Sequence, residues 1–302
     1  MLIILEQVFI LFVFAVSGYV LCKSGVVNSS HSQILSKLLV YVFLPCNIFK
    51  TFASNFTCEY LSGNYKTVLS SVVIILFLGI SMHYMAKVFT KDKYERSIYE
   101  YSLVIPNYGY MGYALAEALF GEGGLMNMMM FAIPVSCYIY TYGFAILTKK
   151  PLSLKKLLHP VILVMVAGVL VGILQIPIPN TVVVILNKSS SCMAPVSMLL
   201  AGIVISNFEF KKLICNKNYF IAVLLRLIVI PVILGVIVST WGDREILQAA
   251  LLLYAMPCGL NTIVFPKLVD GNCEIGAGLA FISNILACVT IPIIFTLFKL
   301  GG

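Results

Sequence analysis

The chain has 302 residues, 61% of them apolar and 11% charged, with a formal net charge of +8. A soluble domain carries roughly 25% charged residues, so this composition excludes a water-soluble globular protein and makes the bilayer the solvent. The lysines and arginines are scattered through short loops rather than gathered into one patch, which argues against a nucleic-acid surface.

Apolar stretches of about 20 residues recur from end to end, each long enough to cross a ~30 Å hydrocarbon core. Hydropathy with turn punctuation predicts ten spans, at 2–21, 34–54, 66–88, 97–119, 125–147, 158–176, 181–206, 218–240, 245–268 and 275–298. The first has no basic residue ahead of Lys23 and no small-residue cleavage site after it, so it reads as a retained span rather than a secretory leader. Breakers mark the loops: Lys23-Ser24-Gly25, Ser62-Gly63-Asn64, Gly121 to Gly124 and Pro177 to Asn180.

Basic residues set the orientation. Fourteen of the twenty lie in loops after odd-numbered spans, five on the opposite face, and Arg226 lies inside span eight. The positive-inside rule then places the 148–157 linker in the cytoplasm and both termini outside it, in the plasma (inner) membrane. The halves also share punctuation. Pro45 and Pro195 are 150 residues apart, Pro106 and Pro257 are 151 apart, and Gly121 and Gly271 are 150 apart. The expectation is an all-α membrane protein of ten transmembrane helices, built from two five-helix repeats at 1–148 and 156–302. An odd number of spans per unit inverts the second copy, a recurrent secondary-transporter design.

Spans four and nine each carry a proline followed closely by glycine and asparagine: Pro106, Asn107, Tyr108 and Gly109 in one, Pro257, Cys258, Gly259 and Asn261 in the other. Proline removes a backbone donor and clashes with the preceding turn. Free backbone groups at membrane depth are tolerated where protein or a water-lined cavity satisfies them. Paired breaks at matching places point to a binding site at the repeat interface. Half-helices starting at Asn107 and Cys258 would turn N–H groups and positive dipole ends to the midplane, where they suit an anion, most simply a carboxylate. The Asn107 and Asn261 amides donate while staying neutral.

Other polar residues carry two readings each. Asn47, half a turn after Pro45, faces the substrate path or serves as interhelical glue. Tyr108, Ser136 and Tyr138 line a pocket or simply pack. Arg226 is functional or snorkels to the cytoplasmic interface. His31, His83 and His159 fall at or near the cytoplasmic border and suggest no proton relay. Glu117, Asp243, Glu245, Asp270 and Glu274 sit at span ends, so no carboxylate is expected near either break. The nine cysteines form no C-x-x-C pair and fall mostly in apolar spans, so neither a metal site nor a disulfide framework is expected. There is no H-E-x-x-H, no intramembrane aspartate and no nucleophile motif, so no catalytic residue and no cofactor are assigned.

The segments LLVYVFLPCNIF (38–49), PNYGYMGYALAEALFG (106–121) and MPCGLNTIVFPKL (256–268), with HPVILVMVAGVLVG opening the second half, resemble the auxin efflux carrier family. That family includes plant PIN-FORMED auxin carriers and bacterial malate and malonate permeases. Without a long hydrophilic loop between the halves, the chain is most similar to compact microbial members. The resemblance implies a scaffold of spans one, two, six and seven, and a transport domain of the other six. It implies that helices four and nine cross at Pro106 and Pro257 beside the substrate, with elevator motion and a homodimer formed through the scaffold. By position, Asn107 and Asn261 are the expected substrate contacts, and Cys258 stands where family members commonly have a small or hydrophobic residue. The expected activity is secondary transport of small organic anions, auxin-like monocarboxylates or malate- and malonate-like dicarboxylates, by a lipid-embedded carrier. The alternative is a membrane sensor or scaffold that binds without transporting.

Overall fold

A computed structural model of the protein describes residues 2–28, 31–55, 57–149, 160–206 and 216–300, and these form helices with no strand among them. Most of the predicted cytoplasmic linker (Lys150 to Pro151 onward), His159, Lys211, Lys212 and Cys215 lie outside the described residues. The elements are α1 (Leu2–Lys23), α2 (Ser32–Leu38), α3 (Leu44–Asn55), a short α4 (Cys58–Gly63), α5 (Tyr65–Phe89), α6 (Lys93–Val104), α7 (Tyr113–Tyr138) and α8 (Phe144–Thr148). The second half contains α9 (Pro160–Ile173), α10 (Asn180–Ser191), α11 (Met193–Ile205), α12 (Lys217–Leu224), α13 (Ile230–Ser239), α14 (Arg244–Tyr254), α15 (Asn261–Lys267) and α16 (Glu274–Leu297). Among the described residues six helical runs are long and apolar enough to cross a membrane: Ser32–Ser54, Tyr65–Phe89, Gly123–Thr148, Asn180–Ile205, Lys217–Ser239 and Glu274–Leu297.

Prolines shape several of these runs. A proline ring clashes with the carbonyl four residues back. For Pro45 that carbonyl belongs to Tyr41 and for Pro231 to Leu227, and both fall in wide π turns, Leu39–Phe43 and Leu225–Val229. Pro195 instead follows the end of α10 at Ser191, four residues before it. Gly121 separates the two parts of α7 with φ 66° and ψ −164°, a conformation essentially restricted to glycine. That is the turn the Gly121 to Gly124 cluster predicts, tightened into a kink. At the start of α6, Asp92 accepts from the amides of Glu95 and Tyr94, and these bonds, Glu95's first, hold its carboxyl below the usual carboxylate range.

Packing divides by neighbourhood. α1 lies along α11, and α3 lies along α9 and α10. The α1–α11 contact is backbone to backbone: a methyl on Gly202 would overlap the Ala15 carbonyl, and one on Gly18 would overlap that of Leu199. Small residues permit this approach in lipid, where dispersion rather than water drives helix association. Elsewhere α5 packs on α6 and α7, α7 on α14, α14 on α13, and α12 on α16. Asn127 of α7 joins two of these, donating to the Glu245 carbonyl at 2.8 Å and accepting from Thr67 at 3.4 Å. Bonds from α2 reach the far end of the chain: Ser36 donates to the Val264 carbonyl at 2.7 Å, and Gln33 donates to Asp270.

Candidate functional site

The two helix breaks meet. α6 ends with the Ile105 amide on the Tyr101 carbonyl, and Pro106 has no amide with which to continue. The Asn107 amide then donates to the Pro257 carbonyl at 2.7 Å, and the Gly259 amide donates to the Ile105 carbonyl at 3.1 Å. This is an antiparallel bridge between Pro106 and Cys258. Backbone groups released by one break are satisfied by the other, as buried backbone requires. Glycine at 259 follows from the close approach, since a Cβ there would lie 3.2 Å from the Ile105 oxygen.

Beyond the bridge the chain turns helical again, at different points in the two halves. Asn107 is the N-cap of a π turn, Tyr108–Gly112, that runs into α7, and its side chain makes no capping bond. The partner half-helix starts at Asn261 rather than at Cys258. The Cys258 amide goes sideways to Ser283 Oγ at 3.0 Å and the Gly259 amide goes to the bridge, so neither is aimed along a helix axis. The positive dipole end expected at Cys258 is therefore displaced by three residues.

A cavity of about 50 Å³ opens beside the bridge. Pro106, Asn107, Tyr108, Gly109, Gly259 and Asn261 line one side, and Asn47, Thr51 and Met193 come from α3 and α11. Seven of the nine residues singled out from the sequence thus share one cavity; Pro257 and Cys258 are buried within the bridge and do not line the cavity. Asn107 is only 2% exposed and its Nδ2 has no hydrogen-bond partner. A buried unpaired donor is costly, so this amide is a polar group awaiting a partner. Asn261 is held differently, its Nδ2 donating to the Tyr101 hydroxyl at 2.9 Å. Tyr108 and Ser136 hydroxyls pair at 2.7 Å, and both line the cavity. Tyr138 lies in a separate cleft with His83.

Two charged residues revise the sequence reading. Arg226 does not snorkel: it is fully buried, and its Nη1 donates to the Tyr254 carbonyl at 3.0 Å. Its Nε and Nη2 have no partner, and the guanidinium lies 5.8 Å from the Tyr254 ring. A full positive charge therefore caps the C-terminal end of α14, three residues before Pro257. Glu100 is the second. The expectation that no carboxylate lies near a break is corrected by this residue, buried at 3% exposure in α6 and six residues before Pro106. Its carboxylate oxygens contact His83 Nδ1 and the Tyr142 hydroxyl, both at 2.8 Å. His83, read as lying near the cytoplasmic border and suggesting no proton relay, is its partner. The signal was present in the sequence as a carboxylate inside an otherwise spanning segment, a functional pointer by default.

Among the described residues no group of three His, Cys, Asp or Glu could hold a metal ion, and eight cysteines are free thiols.

Long apolar helices around two bridged helix breaks define an integral membrane protein. The profile of a family described as membrane transport protein matches residues 3–154 and 148–295. The chain therefore belongs to that family, of the auxin efflux carrier type that its motifs resemble. It is also 24% identical over 301 residues to an uncharacterized transporter of Methanocaldococcus jannaschii, covering 96% of this chain and 97% of that one.

Proposed function

We propose that the protein is a secondary carrier of small organic anions, mono- or dicarboxylates, that performs no covalent chemistry. The observation that carries this reading is the unpartnered amide of Asn107 at the bridged breaks, facing a cavity lined by neutral donors. A carboxylate would accept from that amide and from amides of the Tyr108–Gly112 turn, with the buried Arg226 charge one layer behind. The site selects an anion without a facing cation that would bind it too tightly to release.

In this reading the ten spans form two inverted five-helix repeats. Helix pairs such as Lys93–Val104 with Arg244–Tyr254, and Tyr65–Phe89 with the Lys217–Ser239 run, recur in order and support it. α1, α2, α3, α9, α10 and α11 are the scaffold, and the remainder is the transport domain. A volume of about 50 Å³ holds a few waters rather than a dicarboxylate, so the cavity must widen to load. Sliding of the crossing past the Asn47 and Thr51 wall, an elevator movement, supplies that widening. Two copies pair through their scaffolds, with both termini outside the cytoplasm.

The test is uptake of radiolabelled malate, malonate or indole-acetate by the purified protein in liposomes, with Asn107→Ala and Asn261→Ala beside the wild type. Uptake by the wild type and its loss in both variants are expected. Variants that match wild type would sink the site assignment, and binding without flux would make the protein a sensor.

A further inference from the structure

A second polar site lies in the same helices, away from the crossing cavity. A cleft of about 290 Å³ is lined by His83, Glu100, Tyr138 and Tyr142, with Gly79 and Ile80. The Glu100 side chain is 4% exposed, whereas the His83 side chain is 46% exposed. The imidazole therefore joins the outside of the protein to a carboxylate that is itself shut away. Tyr142 holds the second carboxylate oxygen, and the buried Tyr138 hydroxyl, also in the cleft, has no partner.

The charges around Glu100 leave this pair to itself. On α5, Lys87 places its ammonium over the Tyr84 ring at 4.4 Å. On α6, Arg96 gives Nη2 to the Lys91 carbonyl one turn or more before Glu100. Arg226, on the π turn packed against α6, donates to Tyr254. Lys217, Lys267 and Glu274 stand at the ends of α12, α15 and α16, which also touch α6. Among the described residues His83 is the one ion-pair partner of Glu100.

We propose that Glu100, with His83 and Tyr142, is a proton-binding site through which anion transport is coupled to a proton; the proposal rests on the carrier reading above. Without a bound proton the dyad is a carboxylate beside a neutral imidazole, with net charge −1. Taking one proton from water through the imidazole gives an imidazolium–carboxylate pair of net charge zero. A buried net charge is costly in a low-dielectric interior, and imidazole is the side-chain type that exchanges a proton closest to neutrality. Glu100 and the bridge residue Pro106 belong to one stretch of chain, about 9 Å apart at 1.5 Å per residue. The dyad would therefore travel with the anion site. An anion beside a deprotonated dyad would put two like charges in one moving unit, so the proton loads with the anion. The emptied carrier returns with the dyad deprotonated, and proton and anion move net in the same direction.

The test uses the full chain in liposomes loaded with the pH dye pyranine, with radiolabelled malate, malonate and indole-acetate as probes. With the membrane potential clamped at zero, one proton per anion predicts about tenfold accumulation of malate or malonate for a gradient of about one pH unit. It also predicts acidification of the compartment that receives the anion. In Glu100→Gln the accumulation ratio should fall to about one while malate counterflow stays measurable; Asn107→Ala should lose both. A wild type that transports but ignores the pH gradient and carries no proton overturns the proposal and leaves the carrier reading intact. Gradient-driven accumulation retained in Glu100→Gln also overturns it. A wild type that moves none of the three anions refutes both. Should Glu100→Gln aggregate, His83→Gln and the wild-type dye trace still decide.

Discussion

Replacing Arg226 with methionine tests whether the crossing works by a buried charge or by amide donors alone. The guanidinium caps the Tyr254 carbonyl, and three residues of irregular chain lead from there to Pro257. Even fully extended, three residues reach no further than ~10 Å, and that separation is taken for the cation and a bound carboxylate. At an effective dielectric constant of about 20, the attraction for one carboxylate charge is then about 1.7 kcal/mol, which is roughly 10- to 20-fold in affinity. Stability should change far less. The Tyr254 carbonyl loses its partner, at about 1–3 kcal/mol, but relief of the guanidinium's desolvation offsets much of that. The assay is concentration-dependent malate uptake in liposomes, alongside a thermal unfolding scan. A KM raised about tenfold or more with a nearly unchanged midpoint is expected for Arg226→Met, and Arg226→Lys should recover most of the affinity. An unchanged KM in a folded Arg226→Met protein would refute the electrostatic argument and leave the amide donors to carry selectivity.

Four further outcomes rest on packing and hydrogen bonding. Tyr101→Phe removes the hydroxyl that orients the Asn261 amide; a loss of about 1 kcal/mol should raise the KM roughly fivefold without lowering the amount of folded carrier. Gly202→Val drives a side chain into the Ala15 carbonyl; overpacking of about 1–3 kcal/mol should depress the thermal midpoint. Gly63→Val, with nothing within 4 Å of the added carbon, should leave that midpoint in place. Asp243 caps α14 by accepting from the Glu245 and Ile246 amides. Its replacement by alanine should cost about 1 kcal/mol in a thermal scan, with serine restoring most of it.

Much of the helical layout is legible in the chain because its causes are local. A run of apolar residues specifies a span wherever it falls, and Pro106 and Pro257 interrupt their helices through a missing amide and a steric clash. Six of the nine proposed site residues gather at one cavity for the same reason, since they cluster around those prolines, and Asn47 joins them from α3. The start of α15 was misplaced because it depends on distant groups: Ser283 takes the Cys258 amide and Ile105 takes that of Gly259. Span seven, too, was read as one continuous helix where α10 gives way to α11 at Cys192.

Apolar periodicity and composition thus determined by themselves that this is a helical membrane protein with two broken helices, because lipid imposes that constraint segment by segment. Tertiary structure alone decided that the breaks bond to each other, that Arg226 is sealed against Tyr254, and that Glu100 meets His83 across 17 residues of chain. Each of those facts concerns whether a polar group finds a partner. In a low-dielectric interior the cost of a polar group depends on its neighbours in space, and a neighbour in space leaves no fixed mark on the order of residues.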